Sequence, residues 1–373
     1  MKTLKTTLKH ATVQVLVILI ITSCTPDPIT DIQSGAPQFN INTFEEKLIN
    51  EIGTQSVGFS YTISLNGQWK RKGGMGMAQT SADRNIQMTE NSRMNIASIS
   101  KFVTTIAALK IIEDDDQIDL DDAIGSFLPN DWNPTNDVQD ITFRQLLNHT
   151  SGLHINVNDG ENGQLFDNLK AVVQNTPVGS KTYDYVNINF AFFRVLIPKM
   201  INAGNLNDEL DYANSYENYI QNQVFNPIGI SGASLKQEDF DALLYRFPYD
   251  NSTGKNPGDW TLISGAGGWY MSAFQLAHLI AYVWHSETLI SEDMRHQMNN
   301  SLLGLSESVD DGEHGFYQAK GGGLRYGASP KKGLDCMFMN YPNGIQVVVL
   351  LNSTDAAFPL HPKLRDAFDE SWE

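Results

Sequence analysis

Strand-like segments gather at the two ends of the chain, and this distribution limits what it can fold into. Near the start, "VGFSYTISLNGQWKRKGGMGMA" reads as two strands around Asn66-Gly67, a pair suited to a tight hairpin turn. Near the end, "HGFYQAKGGG", "LDCMFMNY" and "IQVVVLLN" read as three more, the last two joined by the turn "YPNG". Residues from about 98 to 250 read mainly as helices joined by polar loops. An antiparallel sheet built from both ends, covered by helices, is the simplest way to bury such strands. The middle is then an inserted helical sub-domain at about 110–250. A first helix over "INTFEEKLINEIG" is expected, with Asn42 or Thr43 as its cap and Gly53 as its stop. A last helix is expected from Pro359.

Within the middle, "IASISKFVTT" raises a chemical question. Ile99, Phe102, Val103, Ile106 and Leu109 have the spacing of a buried helical stripe, and Lys101 sits among them. An ammonium group is costly to bury unless it is paired. Ser98 lies one turn away on the same face, where it can cap the helix or serve as a nucleophile. A buried lysine loses proton affinity and becomes a plausible proton acceptor for that hydroxyl. The pair alone is a weak signal, since Ser329-Pro-Lys-Lys332 repeats it. That copy contains a proline after a glycine-rich loop and is a poor helix start.

The N-terminus reads as a targeting segment. Three lysines and no acid precede "ATVQVLVILIIT", an apolar run too short for a comfortable membrane span. The run ends at "ITSC", and Cys24 there resembles the lipidated cysteine of a bacterial lipoprotein; a plain secretory signal or an uncleaved anchor is the alternative. Residues 1–23 are then a signal peptide and 24–40 a Pro-, Asp- and Ser-rich tether. The expected location is the bacterial cell envelope, with the membrane reached through the lipid anchor. A net charge of −17, more acidic still without the leader, repels phosphate backbones and argues against nucleic acid as a partner. Cys336 is the only other cysteine, so no internal disulfide is expected in the exported chain; its strand-like surroundings suggest packing.

Read with their neighbours, these residues resemble a known family. The segment "MTENSRMNIASISKFVTTIAALKIIEDDDQIDLDDAIGSFLP" is similar to the nucleophile region of serine β-lactamases and penicillin-binding proteins, above all the class C β-lactamase and esterase branch. "ITFRQLLNHTSGL" and "ISGAGGWYMSAFQLAHLI" resemble two further signatures, in family order, and the likeness extends over about residues 45 to 355. The family's Y-x-N motif has five candidates here, beginning at Tyr185, Tyr212, Tyr216, Tyr249 and Tyr341. Tyr185-Val-Asn187 is favoured because "PVGSKTYDYVNINFAFFRVLI" resembles the Pro-Gly loop and apolar helix around that motif. Tyr183 is a rival, because the loop after Gly179 is a residue longer than usual. For the third motif, K-[TS]-G, Lys72, Lys320 and Lys331 compete, with Lys332 beside the last. Lys320 is favoured by its position at the end of a strand, followed by three glycines that let a ligand approach the backbone.

The resemblance implies an α+β, β-lactamase/transpeptidase-like fold with an antiparallel five-stranded sheet, and a serine hydrolase domain over residues 41–373. It implies acyl transfer in two steps. Ser98 attacks a carbonyl, and Lys101, Tyr185 or both take its proton. Asn187 binds the substrate amide, and Lys320 keeps the Tyr185 oxygen poised and attracts a substrate carboxylate. Gly322 and Gly323 belong to the substrate-binding strand, and the N–H groups of Ser98 and Gly323 form the oxyanion hole. The substrate is a small molecule or peptide: a β-lactam, a D-Ala-D-Ala peptide or an ester. No cofactor is expected. "EDDDQIDLDD" lacks the glycine and spacing of a calcium loop, and His149 and His154 have the wrong spacing for a zinc pair, so no metal is expected either. The oligomeric state is left open. The alternative function is a non-catalytic peptidoglycan- or peptide-binding envelope protein on the same fold.

Overall fold

The computed structural model describes residues 37–154, 157–249, 251–306, 311–354 and 358–373, and residues 39–373 form one compact unit. The expected leader, Cys24 and the tether up to residue 36 lie outside the described residues.

β1 (Gly58–Leu65) and β2 (Gln68–Gln79) form the expected hairpin. Its turn needs two left-handed residues, and Asn66 and Gly67 take φ of 50° and 74°. β3 (Ile86–Gln87) pairs with the far end of β2, and β4 (Met94–Asn95) pairs with β5 (Tyr270–Met271). β6 (Asp311–Gly312) and β7 (Gly315–Phe316) make a small hairpin. β8 (Gln318–Tyr326), β9 (Lys332–Asn340) and β10 (Ile345–Leu351) are the C-terminal strands. β10 pairs with β1, so both chain ends share one antiparallel sheet, in the order β3-β2-β1-β10-β9-β8. The sheet has six strands, not five. The added strand is β3, whose two residues are too few to leave an alternating pattern in the sequence.

The first helix, α1 (Ile41–Lys47), is capped by Asn40, whose side chain accepts from the Asn42 and Thr43 N–H groups. The cap thus falls two residues before the earlier of the expected positions. The central segment supplies α2 (Ser100–Asp114), α3 (Asn136–Gln139), α4 (Phe143–Leu147), α5 (Phe166–Asn175), α6 (Asn187–Ala191), α7 (Phe193–Met200) and α8 (Glu209–Ile220). α9 (Ala273–His285), α10 (Glu292–Asn300) and α11 (Leu360–Asp369) follow.

β10 is apolar at every position but Gln346 because helices cover both faces of the sheet. Val347, Val349 and Leu351 pack with Phe44, Leu48, Leu364 and Phe368 at the terminal helices. Val348 and Leu350 point the other way, into the core that holds Phe102, Leu276 and Phe338. Five buried aliphatic side chains contribute on the order of 10 kcal/mol, comparable with the whole net stability of a domain. β10 therefore ties the two cores together.

α2 departs from the expected single stripe. Every residue from Ser100 to Leu109 is buried, because the helix runs through the larger core rather than along its surface. Lys101 therefore has no route by which to snorkel to water.

Candidate active site

The site begins where β4 turns into α2. Between them, Ala97–Ile99 form one tight 3-10 turn. Ala97 has φ of 45°, a left-handed conformation that costs a non-glycine residue of order 1 kcal/mol. Its N–H donates to the Asn95 side chain at 2.8 Å, which helps to hold it there. Ser98 does not cap α2: the cap position is Ile99, and no side chain fills that role. Instead its hydroxyl meets Lys101 and Tyr185. Lys101 Nζ donates to Ser98 Oγ at 3.1 Å, to Asn187 Oδ1 at 2.7 Å and to the Ala266 carbonyl at 2.7 Å. Tyr185 Oη donates to Ser98 Oγ at 2.7 Å. Two groups able to move a proton thus flank one half-buried serine.

The loop before α6 delivers Tyr185, and α6 itself opens with Asn187. His149 organises this loop: its carbonyl accepts from the Asp184 N–H at 2.9 Å, and its Nδ1 accepts from the Val186 N–H at 3.3 Å. Its ring lies 4.5 Å from the Tyr185 ring. An Nδ1 that accepts belongs to a neutral imidazole. Burial, with Lys320 and Lys101 adding to it, pushes the His149 pKa down to about 2. Tyr183, the rival of Tyr185, lines the cavity and meets His149 edge-on, while the hydrogen bond to Ser98 comes from Tyr185.

Lys320 stands on β8, 2% exposed, with Nζ 5.4 Å from the centre of the Tyr185 ring. Its competitors lie elsewhere. Lys331 is exposed in the β8–β9 connection, Lys332 donates to the Thr253 carbonyl, and Lys72 pairs with Glu90. The other Y-x-N copies also have structural work. Tyr216 bonds Thr104, Tyr249 bonds Thr80, Tyr341 donates to the Leu364 carbonyl, and Tyr212 packs in the core. Gly322 passes so close to the Ala97–Ile99 turn that a Cβ there would stand 2.8 Å from Ser98 N. Behind it, the Cys336 thiol donates to the Ile96 and Gly322 carbonyls, and burial raises its pKa, as suits packing rather than catalysis.

Ser98 and Gly323 both line two openings. One, of about 580 Å³, is also bounded by Tyr185, Lys320 and residues 358–362. The other, of about 190 Å³, is bounded by Asp159, Glu161, Gln164, Asn187 and Trp260. A substrate carbonyl over Ser98 can thus place one side group in each.

Electrostatics separates the two candidate proton acceptors. Burial pushes Lys101 down to about 7, with Asp159 acting in the opposite direction. Tyr185 is 39% exposed overall, yet loss of water around its phenolate raises its pKa, and nearby Lys320 only partly offsets this. Lys320 is pushed down to about 8, again by burial first. Near neutral pH, Lys101 can therefore hold a free amine while Tyr185 keeps its proton.

Two participants are invisible in the sequence. Asp159 bonds the Asn187 side chain from a loop 28 residues away, and Asp-Gly there signals only a turn. Arg194, fully buried, donates to the carbonyls of Ser264 and Gln164 and so braces two loops beside the site; its place in an apolar helix gave no sign of those partners.

Comparison with known proteins gives the family and the fold. The family model described as Beta-lactamase matches residues 45–369. A putative penicillin-binding protein, PbpX, of Bacillus subtilis (strain 168) is 24% identical over 309 residues, covering 80% of this chain and 72% of that protein. The crystal structure of FmtA from Staphylococcus aureus superposes with a TM-score of 0.68 at 18% identity, over 90% of this chain and 92% of that one. The structure of a beta-lactamase/D-alanine carboxypeptidase from Yersinia pestis gives 0.67 at 16% identity, over 89% and 98%. At these identities the two structures speak for the fold, a β-lactamase/transpeptidase-like one.

Proposed function

This chain belongs to the beta-lactamase family, and on that premise we propose that it is a serine hydrolase working through an acyl-enzyme on Ser98. The observation that carries the reading is the position of Ser98 Oγ, 3.1 Å from Lys101 Nζ and 2.7 Å from Tyr185 Oη. A lysine pushed down to about 7 is free to accept a proton at neutral pH. As that proton leaves, Oγ bonds the substrate carbonyl carbon. The carbonyl electrons move to oxygen, beside the N–H groups of Ser98 and Gly323. Collapse breaks the bond to the leaving nitrogen or oxygen, which takes a proton relayed through Lys101 or Tyr185. Water then repeats the sequence and frees Ser98.

The substrates we propose are amides or esters: a β-lactam, a D-Ala-D-Ala peptide or a simple ester. Lys320 offers a partner for a substrate carboxylate in the larger opening. We also propose attachment to the cell envelope through lipidated Cys24, which Cys24→Ser would abolish, releasing the protein from membranes.

The test is covalent labelling. A fluorophosphonate or a labelled penicillin should modify the wild-type protein, and Ser98→Ala should abolish the label. Equal labelling of folded Ser98→Ala at the same site would overturn the assignment. Among substrates, fast nitrocefin turnover would identify a β-lactamase and a long-lived penicilloyl adduct a peptidase. Turnover of p-nitrophenyl esters alone would identify an esterase.

A further inference from the structure

We propose that Asp159 is a positioning residue for the proton acceptor: its carboxylate fixes the Asn187 amide so that the carbonyl end faces Lys101, and it sets a negative charge one amide away from Lys101 Nζ. This rests on the serine-hydrolase reading and adds to it a residue that no motif contains.

The geometry is a chain of hydrogen bonds. Asp159 Oδ2 accepts from Asn187 Nδ2 at 2.9 Å, and the Asp159 main-chain oxygen accepts from the same nitrogen at 3.2 Å. Asp159 Oδ1 accepts from the Ile188 N–H at 3.1 Å, which ties the carboxylate to the backbone of α6. At its other end the amide offers Oδ1 to Lys101 at 2.7 Å. A primary amide has one donor end and one acceptor end. Turned over, Asn187 would set its N–H groups against an amine and its carbonyl against a carboxylate, losing both contacts. Asp159 therefore decides which way Asn187 points. It also occupies the Asn187 N–H groups, so a substrate carbonyl must compete with Asp159 for them.

The charged and titratable groups facing Lys101 come from four other segments. Lys320 on β8 acts against its protonation, and the Tyr185 ring lies 4.9 Å from Nζ. His149 is held neutral, as described above. Asp159 alone among these favours the proton on Lys101. Its own proton affinity is raised by burial, yet Lys101 and the hydrogen bonds from Ile188 and Asn187 oppose that rise. Removing this charge should make Lys101 give up its proton at lower pH, because no other charge among the described residues favours that proton.

The readout is the second-order rate of fluorophosphonate labelling at Ser98 from pH 5 to 9. In wild type the rate should rise through the Lys101 transition. In Asp159→Asn the acid limb should move to lower pH by about two pH units, the scale for a charge an amide away at an effective dielectric near 20. Asp159→Glu keeps the charge and should return the limb toward wild type. Asp159→Ser keeps an oxygen that can accept from the Ile188 N–H, so it is the second neutral variant should Asp159→Asn fail to fold. An unmoved limb in a folded neutral variant would overturn the proposal, even if the plateau rate fell, because a merely structural residue would lower the plateau alone. Failure of both neutral variants to fold would also overturn it, making Asp159 a folding residue. Labelling that survives Ser98→Ala would instead refute the hydrolase reading, so the two failures are distinguishable.

Discussion

Replacing Gly322 by alanine tests whether the spacing between β8 and the nucleophile turn controls reactivity. A Cβ there would stand 2.7 Å from the Ile96 carbonyl oxygen, 2.8 Å from Ser98 N and 2.9 Å from Cys336 Sγ. Two of these atoms are backbone, so no rotamer change relieves the contact. The atoms need about 0.5 Å more room to reach ordinary van der Waals distance. Either β8 retreats or the Ala97–Ile99 turn moves, and each shifts the Ser98 and Gly323 N–H groups, the proposed oxyanion donors, relative to Ser98 Oγ. A displacement of that order costs on the order of tenfold to a hundredfold in rate. Overpacking of this kind costs about 1–3 kcal/mol of stability. Gly321→Ala is the matched control. Its Cβ would meet Met337 Cε at 2.8 Å, the free end of a flexible side chain, with the next atom at 3.6 Å. We expect Gly321→Ala to label with fluorophosphonate within threefold of wild type and Gly322→Ala at least tenfold more slowly, both remaining folded by circular dichroism. Equal rates for the two variants would refute the argument from backbone approach.

Three further outcomes follow from the buried ionisable groups. With Lys101 pushed down to about 7, labelling should rise tenfold per pH unit below 7 and level off above it, and a rate still climbing at pH 9 would contradict the assignment. The same depression makes the folded state bind fewer protons than the unfolded state between pH 7 and 10.5, so this group adds stability as pH rises through that window. Urea unfolding at pH 7 and 9.5 should therefore show wild type gaining up to about 3 kcal/mol that Lys101→Met does not gain. A thiol that burial holds above its ordinary range should resist a disulfide reagent, so Cys336 should react only on unfolding; rapid reaction in the native state would place it in contact with solvent.

Much of the frame was legible because local signals and global topology agreed. Asn66-Gly67 carries its own turn chemistry, and "IQVVVLL" is apolar on both faces at every position but Gln346, as suits a central strand between two cores. The two-residue β3 could not be read, since its pairing comes from where β2 ends and not from its own composition. The single stripe expected on α2 failed for a related reason: periodicity reports a surface helix, and a helix enclosed by the sheet on one side and α7 and α8 on the other has no exposed face to leave polar. Within the site, side chains near one another in sequence were legible, as Ser98 and Lys101 were. Tyr185 and Lys320 needed motif context. Asp159 and the carbonyl of Ala266 had no signal, because each reaches Lys101 or its partner across a loop whose path only the fold determines.

Burial links the fold to the chemistry. Holding Lys101 at about 7 rather than 10.5 costs on the order of 5 kcal/mol at neutral pH. That is comparable with the net stability of a whole domain. A thin scaffold could not hold such a group, and here the larger core encloses α2 on all sides while the sheet joins it to a second core through β10. That cost is what is left after the Asp159 charge has offset part of the burial penalty, with three acceptors within hydrogen-bond distance of Lys101 Nζ. What remains is the useful part. An amine denied water and only partly compensated gives up its proton near neutral pH, within hydrogen-bond reach of the hydroxyl proposed as the nucleophile.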